Sequence, residues 1–287
     1  MLDFINVSFL KVSWLFKWVT KLAYPLVDNS IGVDQLSEFQ EILSIDGKYA
    51  GLWSVVNSAI NIVVPFGLAL ITTYFLMYLF EAASKDQITA DSLIKVLIQL
   101  IIVVALVTNL AEVINAMLSL GESIFKLISN AIVGTGESGT KAAALTGKDI
   151  VDKWAEEGED AAGTILFQSI LLWVIHQIAK IAVYFAIFSR MIELGWRIIF
   201  APVGIANSFE GGANSAGIRY LKGIAAVAIS GAAIFVVCAV GFSVSATMLD
   251  PTAFANNQTS IFAAMGAQLA TAGAAIGVGN KVKEIVQ

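Results

Sequence analysis

The sequence predicts an all-α, polytopic integral membrane protein with about five transmembrane helices and an amino-terminal amphipathic helix lying in the membrane interface. Three observations carry this fold class. Of 287 residues, 57% are hydrophobic and 14% are charged, whereas soluble domains carry roughly 25% charged residues. The mean hydropathy is +0.80. Five stretches also run without charge for about the 20 residues that a helical bilayer crossing needs. Disorder is excluded by 17 Phe, 6 Trp and long aliphatic blocks, since disordered chains are poor in such residues.

The elements follow in chain order. Residues 1–50 form an extracytoplasmic amphipathic segment. On a helical wheel of Met1 to Tyr24, Asn6, Ser13, Lys17, Thr20 and Lys21 fall opposite Phe4, Leu15, Trp18, Val19 and Leu22, as in an interfacial helix. Lys11 points into the apolar face, where its long stem can snorkel. A signal peptide is not expected, because lysines interrupt the apolar stretch and no small-residue cleavage site follows. Residues 51–112 hold the first two spans. Thirty-two uncharged residues separate Lys48 from Glu81, with Leu52 to Phe80 as one helix, and Lys95 to Glu112 encloses the second run.

Residues 113–161 are expected as an acidic external loop, and residues 162–280 as the last three spans. The third runs uncharged for 19 residues from Asp160 to Lys180 and resumes as Ile181 to Ser189. The fourth lies within the 27 uncharged residues between Lys222 and Asp250. The fifth, Ile261 to Val278, is rich in Ala and Gly and carries Gln268 and Thr271, so its insertion depends on packing more than on hydropathy. A basic hairpin, 190–222, joins the third and fourth spans, and residues 281–287 form the tail.

Orientation follows from the distribution of Lys and Arg. Arg190 to Lys222 holds all three arginines, while the loop from Glu112 to Asp160 has four lysines against nine acids. The hairpin and the tail, with Lys281 and Lys283, are therefore expected in the cytoplasm. The acidic loop and the amino terminus are expected outside a cytoplasmic membrane.

Polar residues inside the spans are the candidate site. Ser54, Asn57, Ser58 and Asn61 recur at helical spacing on the first span. They are either glue between helices, as small polar side chains commonly are, or the lining of a water-filled passage. Thr108, Asn109, Glu112 and Asn115 share a face at the end of the second span. On the third, Ser169, His176 and Lys180 fall on one side. An intramembrane Lys is a functional candidate, although Lys180, about 27 Å along its helix, can snorkel to the inner surface. His176 reads as a hydrogen-bonded imidazole rather than a proton relay. Small-residue pairs at Ala226 and Ser230, Gly241 and Ser245, and Gly273 and Gly277 mark close helix approach.

Several chemistries are set aside. One His and one Cys leave too few soft ligands for zinc, and Cys238 has no partner for a disulfide; no cofactor or metal is expected. Gly134 to Lys141, GTGESGTK, departs from the phosphate-binding order because Thr140 stands where lysine must follow the glycine. The carboxylates of Asp149 to Asp160 read as a solvated face. A membrane-embedded enzyme needs ionisable groups clustered at one depth, and His176 with Lys180 are too few. A small-solute transporter or channel is the alternative class, but Pro65 and Pro202 do not occupy the matching halves that such transporters show.

The segment Gly195 to Gly223, GWRIIFAPVGIANSFEGGANSAGIRYLKG, is the most characteristic. Pro202 and Gly204 break the helix, Gly211 and Gly212 turn the chain, and Asn214 or Ser215 caps the next helix. Arg219, Tyr220 and Lys222 follow as an interfacial anchor. Arg190, Arg197, Arg219 and Lys222 are thus candidates for docking a cytoplasmic partner. With its FAP turn, EGGANSAG loop and the basic, small-residue helix that follows, the segment resembles the TrbL-like, VirB-type polytopic inner-membrane channel subunits of type IV secretion (conjugation) systems, particularly their Gram-positive branch. The resemblance implies a non-catalytic subunit that helps to pass relaxase-linked DNA across the cytoplasmic membrane. It further implies cytoplasmic ATPases and other secretion subunits as partners, and a homo-oligomer. The acidic loop is unsuited to DNA phosphates, since like charges repel; any contact falls to the basic inner face or a neutral lumen.

Overall fold

A computed structural model describes residues 17–18, 20–29, 38, 50–85, 89–133, 148, 150–152, 162–206, 208, 215–249 and 257–286. The described chain is helical: α1 (Ala50–Ser84), α2 (Ala90–Thr108), α3 (Leu110–Val133), α4 (Ala162–Ile199), α5 (Ala201–Ala206), α6 (Ala216–Leu249) and α7 (Asn257–Val286). Five of these, α1, α2, α4, α6 and α7, are long and apolar enough to cross a membrane, the number the uncharged runs predict. The phosphate-loop look-alike and most of the acidic segment lie outside the described residues, as does most of the amino-terminal amphipathic helix.

The chain divides into two compact units, to both of which α4, α6 and α7 contribute. One comprises Glu41–Leu127, Ile187–Ala233 and Val278–Gln287. Its core joins Val56 and Ile60 of α1, Val103 and Val107 of α2, Leu110, Ile114 and Leu118 of α3, Ile198 of α4, Ile205 of α5 and Ile224 of α6. Pro65 sits inside α1 without ending it, as is tolerated in membrane helices. Thr89 starts α2 with a reciprocal cap: the Ser92 amide donates to Thr89 Oγ1 at 3.2 Å and the Thr89 amide to Ser92 Oγ at 3.0 Å, satisfying two otherwise orphaned donors.

The expected loop is corrected first. Its amino-terminal part is helix α3, which begins at Leu110. Polar Glu112, Ser119, Glu122 and Lys126 keep this stretch from counting as a span, but Leu110, Ile114, Leu118 and Phe125 are buried at the three- and four-residue spacing of an amphipathic helix. The α2–α3 junction explains Thr108 and Asn109. Thr108 Oγ1 donates to the Val104 carbonyl at 2.9 Å and Asn109 Nδ2 to the Ala105 carbonyl at 2.8 Å, so these polar groups turn back onto their own helix where it breaks.

Close approaches set the lengthwise offset between α1 and the stretch formed by the end of α4 and α5. A Cβ on Gly195 would touch Val56 at 3.5 Å, and one on Gly67 would meet Pro202 at 2.8 Å. Uncharged runs fix which residues are apolar, whereas the offset is fixed by which small residues admit which neighbours.

The other unit comprises Met1–Gln40, Ile128–Ala186 and Ile234–Gly277. Ala23 and Val27, Ile150 and Val151, Leu172 of α4, Ala246 and Leu249 of α6, and Ile261, Ala264 and Met265 of α7 form its core. Residues 20–28 are helical, with Trp18 and Leu22 exposed, as a membrane-facing edge would be. Thr20, expected on the polar side, is instead buried, its hydroxyl donating to the Lys17 carbonyl at 3.1 Å. Tyr24 donates to Asp152 Oδ1 at 2.6 Å. That bond to a carboxylate, helped by burial, holds the phenol above its ordinary range.

Candidate functional site

The polar stripe of α1 points away from its own chain. Ser54, Asn57, Ser58 and Asn61 are all exposed, while Val56 and Ile60 between them are buried. Ser54 Oγ donates to the Gly51 carbonyl at 2.8 Å and Ser58 Oγ to the Ser54 carbonyl at 2.9 Å. The hydroxyls are thereby satisfied within the helix, and among the described residues no hydrogen bond joins the stripe to another helix.

The basic hairpin separates into two parts. α5 is largely buried, with Ala201, Ile205 and Ala206 fully enclosed and Val203 exposed, and it packs against α1 and α2. The helix break at Phe200 brings Pro202 against Gly67, where a side chain on the glycine would strike the proline backbone. Gly204 is as constrained: its Cβ would lie 2.8 Å from the Tyr220 ring. Tyr220 is not the expected surface anchor. Its hydroxyl donates to the Arg197 carbonyl at 2.8 Å, pinning the start of α6 to the end of α4. Ser215 caps α6, Oγ accepting from the Ile218 amide at 3.3 Å. Asn214 lies outside the described residues.

Of the four proposed docking cations, Arg190 and Arg197 are engaged within the chain. Arg190 Nη1 donates to Glu193 Oε2 at 2.7 Å and Arg197 Nε to Glu193 Oε1 at 3.1 Å. Lys283, from α7, pairs with the same carboxylate, and Arg190 Nη2 also reaches Asn280 Oδ1 at 3.4 Å. The side chains of this cluster are 13–20% exposed. Arg219 and Lys222, in contrast, are exposed. Glu193 is the hub that counting charges overlooks. Its position three residues after Arg190 and four before Arg197 was the available signal, because such residues share a helix face.

Arg190 also borders a small cavity, about 50 Å³, lined by Trp53, Leu118, Glu122, Phe125, Met191 and Ala228 among others. Glu122 pairs with Lys126 at 2.8 Å. Gly121 lets α3 approach α6: a Cβ there would touch Ala228 at 3.4 Å.

His176, Ser169, Ser245, Gln268 and Thr271 form the second polar group, within the other unit, and all are buried. Gln268 Nε2 donates to Ser245 Oγ at 3.1 Å, and Ser245 Oγ to the Ala264 carbonyl at 3.4 Å. The His176 side chain meets Gln268, and its ring lies 6.1 Å from that of Phe242. Lys180, one turn further on, pairs with Glu38 at 3.6 Å and lies over the Tyr184 ring. Gly241 is packed against the Thr271 side chain, but a Cβ on Gly273 or Gly277 would meet open space, so that last pair does not mark a contact within this chain. Cys238 is buried and free. Among the described residues, no group of three potential metal ligands occurs.

Five membrane-length helices, an exposed polar stripe on one of them and polar clusters that join α4, α6 and α7 define a multi-pass helical membrane protein. Residues 48–202, more than half of the chain, match the model of the family described as TrbL/VirB6 plasmid conjugal transfer like protein. The chain belongs to that family and is a membrane subunit of a conjugal transfer system, with other type IV secretion components as partners. No curated protein and no solved structure matches it.

Proposed function

We propose that this subunit is a non-catalytic channel or scaffold element that helps to pass relaxase-linked DNA across the cytoplasmic membrane. The supporting observation is the exposed Ser54, Asn57, Ser58 and Asn61 face on a helix of membrane length. Amides directed at lipid are costly, so this face is suited to a water-filled passage or to a neighbouring copy in a homo-oligomer. A neutral polar wall neither repels DNA phosphates nor holds them by ion pairing, which suits a strand that must keep moving. Energy comes from cytoplasmic ATPases, with Arg219 and Lys222 as their contact. The basic hairpin and the tail face the cytoplasm. The same count sets the amino terminus outside, and reporters at Met1 and after Gln287 test both ends.

The decisive test is transfer. Deleting the gene should abolish conjugation without affecting growth, and unimpaired transfer would overturn the reading. Replacing Asn57 and Asn61 with Leu should lower transfer at least tenfold while the protein still inserts; unchanged transfer removes the stripe from the passage. Arg219→Gln with Lys222→Gln should reduce co-purification of the transfer ATPase, and undiminished recovery excludes that contact.

A further inference from the structure

We propose that the amino-terminal turn of α6 binds the phosphate of an anionic membrane phospholipid. The helix opens at Ser215, whose hydroxyl oxygen is engaged by the Ile218 amide and whose carbonyl accepts from the Arg219 amide at 3.1 Å. Among the described residues no acceptor meets the Ala216 and Gly217 amides, two of the donors that a helix start leaves over. Such donors, with the positive end of the helix dipole behind them, favour an anion. The first turn of α6 holds no acid.

A second, independent feature points to the same place. Ser208 is 9% exposed, and its buried hydroxyl has no hydrogen-bond partner among the described residues. An unpaired buried hydroxyl is costly, and a bound group that accepts from it removes the cost. The hydroxyl is directed at the first turn of α6, because a Cβ on Gly217 would lie 1.8 Å from Ser208 Oγ. Gly217 thus lets the hydroxyl stand against the helix start. The Ser208 amide donates to the Ile205 carbonyl at 2.8 Å, which holds the residue there.

Two cations complete the site. Arg219 and Lys222 are exposed on the same helix edge as the exposed Ala216, and the side chains of a helix lean toward its start. A cation is disfavoured at the positive end of a helix unless an anion joins it there. Position identifies the source of the anion. α6 is a helix of membrane-spanning composition and carries no charge from Gly223 to Leu249. Its first turn therefore stands at the end of a bilayer crossing, at the level of the headgroup phosphates.

The test uses the full-length protein purified in a neutral detergent, without DNA or ATPase, so that its outcome is separate from those for the passage and the ATPase contact. Phosphatidylglycerol should raise the melting temperature and remain bound in native mass spectrometry, whereas diacylglycerol with the same chains, which lacks the phosphate, should do neither. Ser208→Ala should weaken phosphatidylglycerol binding about tenfold, the scale of a hydrogen bond to a charged group. Its melting temperature without lipid should stay level or rise, since an unpaired hydroxyl is removed. Arg219→Gln, at an exposed position, should weaken binding about fivefold, which keeps the proposal testable if Ser208→Ala does not fold. Lys281→Gln should leave binding unchanged. Equal stabilisation by diacylglycerol, or by inorganic phosphate at matched concentration, would overturn the lipid site, as would displacement of the lipid by a single-stranded oligonucleotide. Unchanged binding by Ser208→Ala would mean that the hydroxyl meets water only, and would overturn it as well.

Discussion

The two polar clusters between helices solve one problem in opposite ways. Around Glu193, four charged side chains from α4 and α7 meet while retaining some exposure. Around Gln268, the side chains of α4, α6 and α7 are enclosed, and the bonds among them join uncharged amide and hydroxyl groups. Ionisation is tolerable where water or headgroups reach, and neutral hydrogen bonding serves where they do not. The comparison teaches that a polar residue in a span is interpreted by its enclosure rather than by its type.

Removing the hub should have the largest effect. Glu193→Ala leaves three cations without their carboxylate and should destabilise the protein by roughly 3 kcal/mol, the low end for breaking a buried ion pair, read as thermal unfolding in detergent; a loss no greater than that of Lys281→Ala would mean that the cluster is solvated. Gly67→Ala comes next, at about 2 kcal/mol of overpacking, because the Pro202 backbone cannot yield. Gly273→Ala, facing open space, is its control and should be neutral. Gln268→Met should cost about 1 kcal/mol, the scale of an intramembrane hydrogen bond; a cost above that of Glu193→Ala would reverse the comparison. Tyr24→Phe should have the smallest effect. Since the phenol of Tyr24 is raised in the folded state, its contribution is present below the ordinary tyrosine range near pH 10 and is lost as pH rises through the folded value. Stability of the wild type should therefore fall more steeply in strong alkali than that of Tyr24→Phe.

The five membrane-length helices are legible in the sequence because charge is excluded from hydrocarbon over a fixed length. α3 is not found by that count, although its apolar residues four apart were visible. Of the basic quartet, the sequence shows the charges but not their division. Lys283 reaches Glu193 across ninety residues of chain, which no local pattern encodes, whereas the pairing of Arg190 and Arg197 with Glu193 follows from their spacing on one helix. The stripe on α1 was legible as a stripe. That it faces outward depends on Val56 and Ile60, which lie one residue before Asn57 and Asn61 and are the ones the core selects.

The buried Cys238 is the sole thiol of the chain. One conservative substitution, Cys238→Ala, therefore empties the molecule of reactive sulfur, and every cysteine then added becomes an unambiguous reporter. Placed in turn at positions 54 to 61, such a thiol converts the face of α1 into a wetness map: a membrane-impermeant maleimide labels it where water stands and spares it where lipid or another helix does.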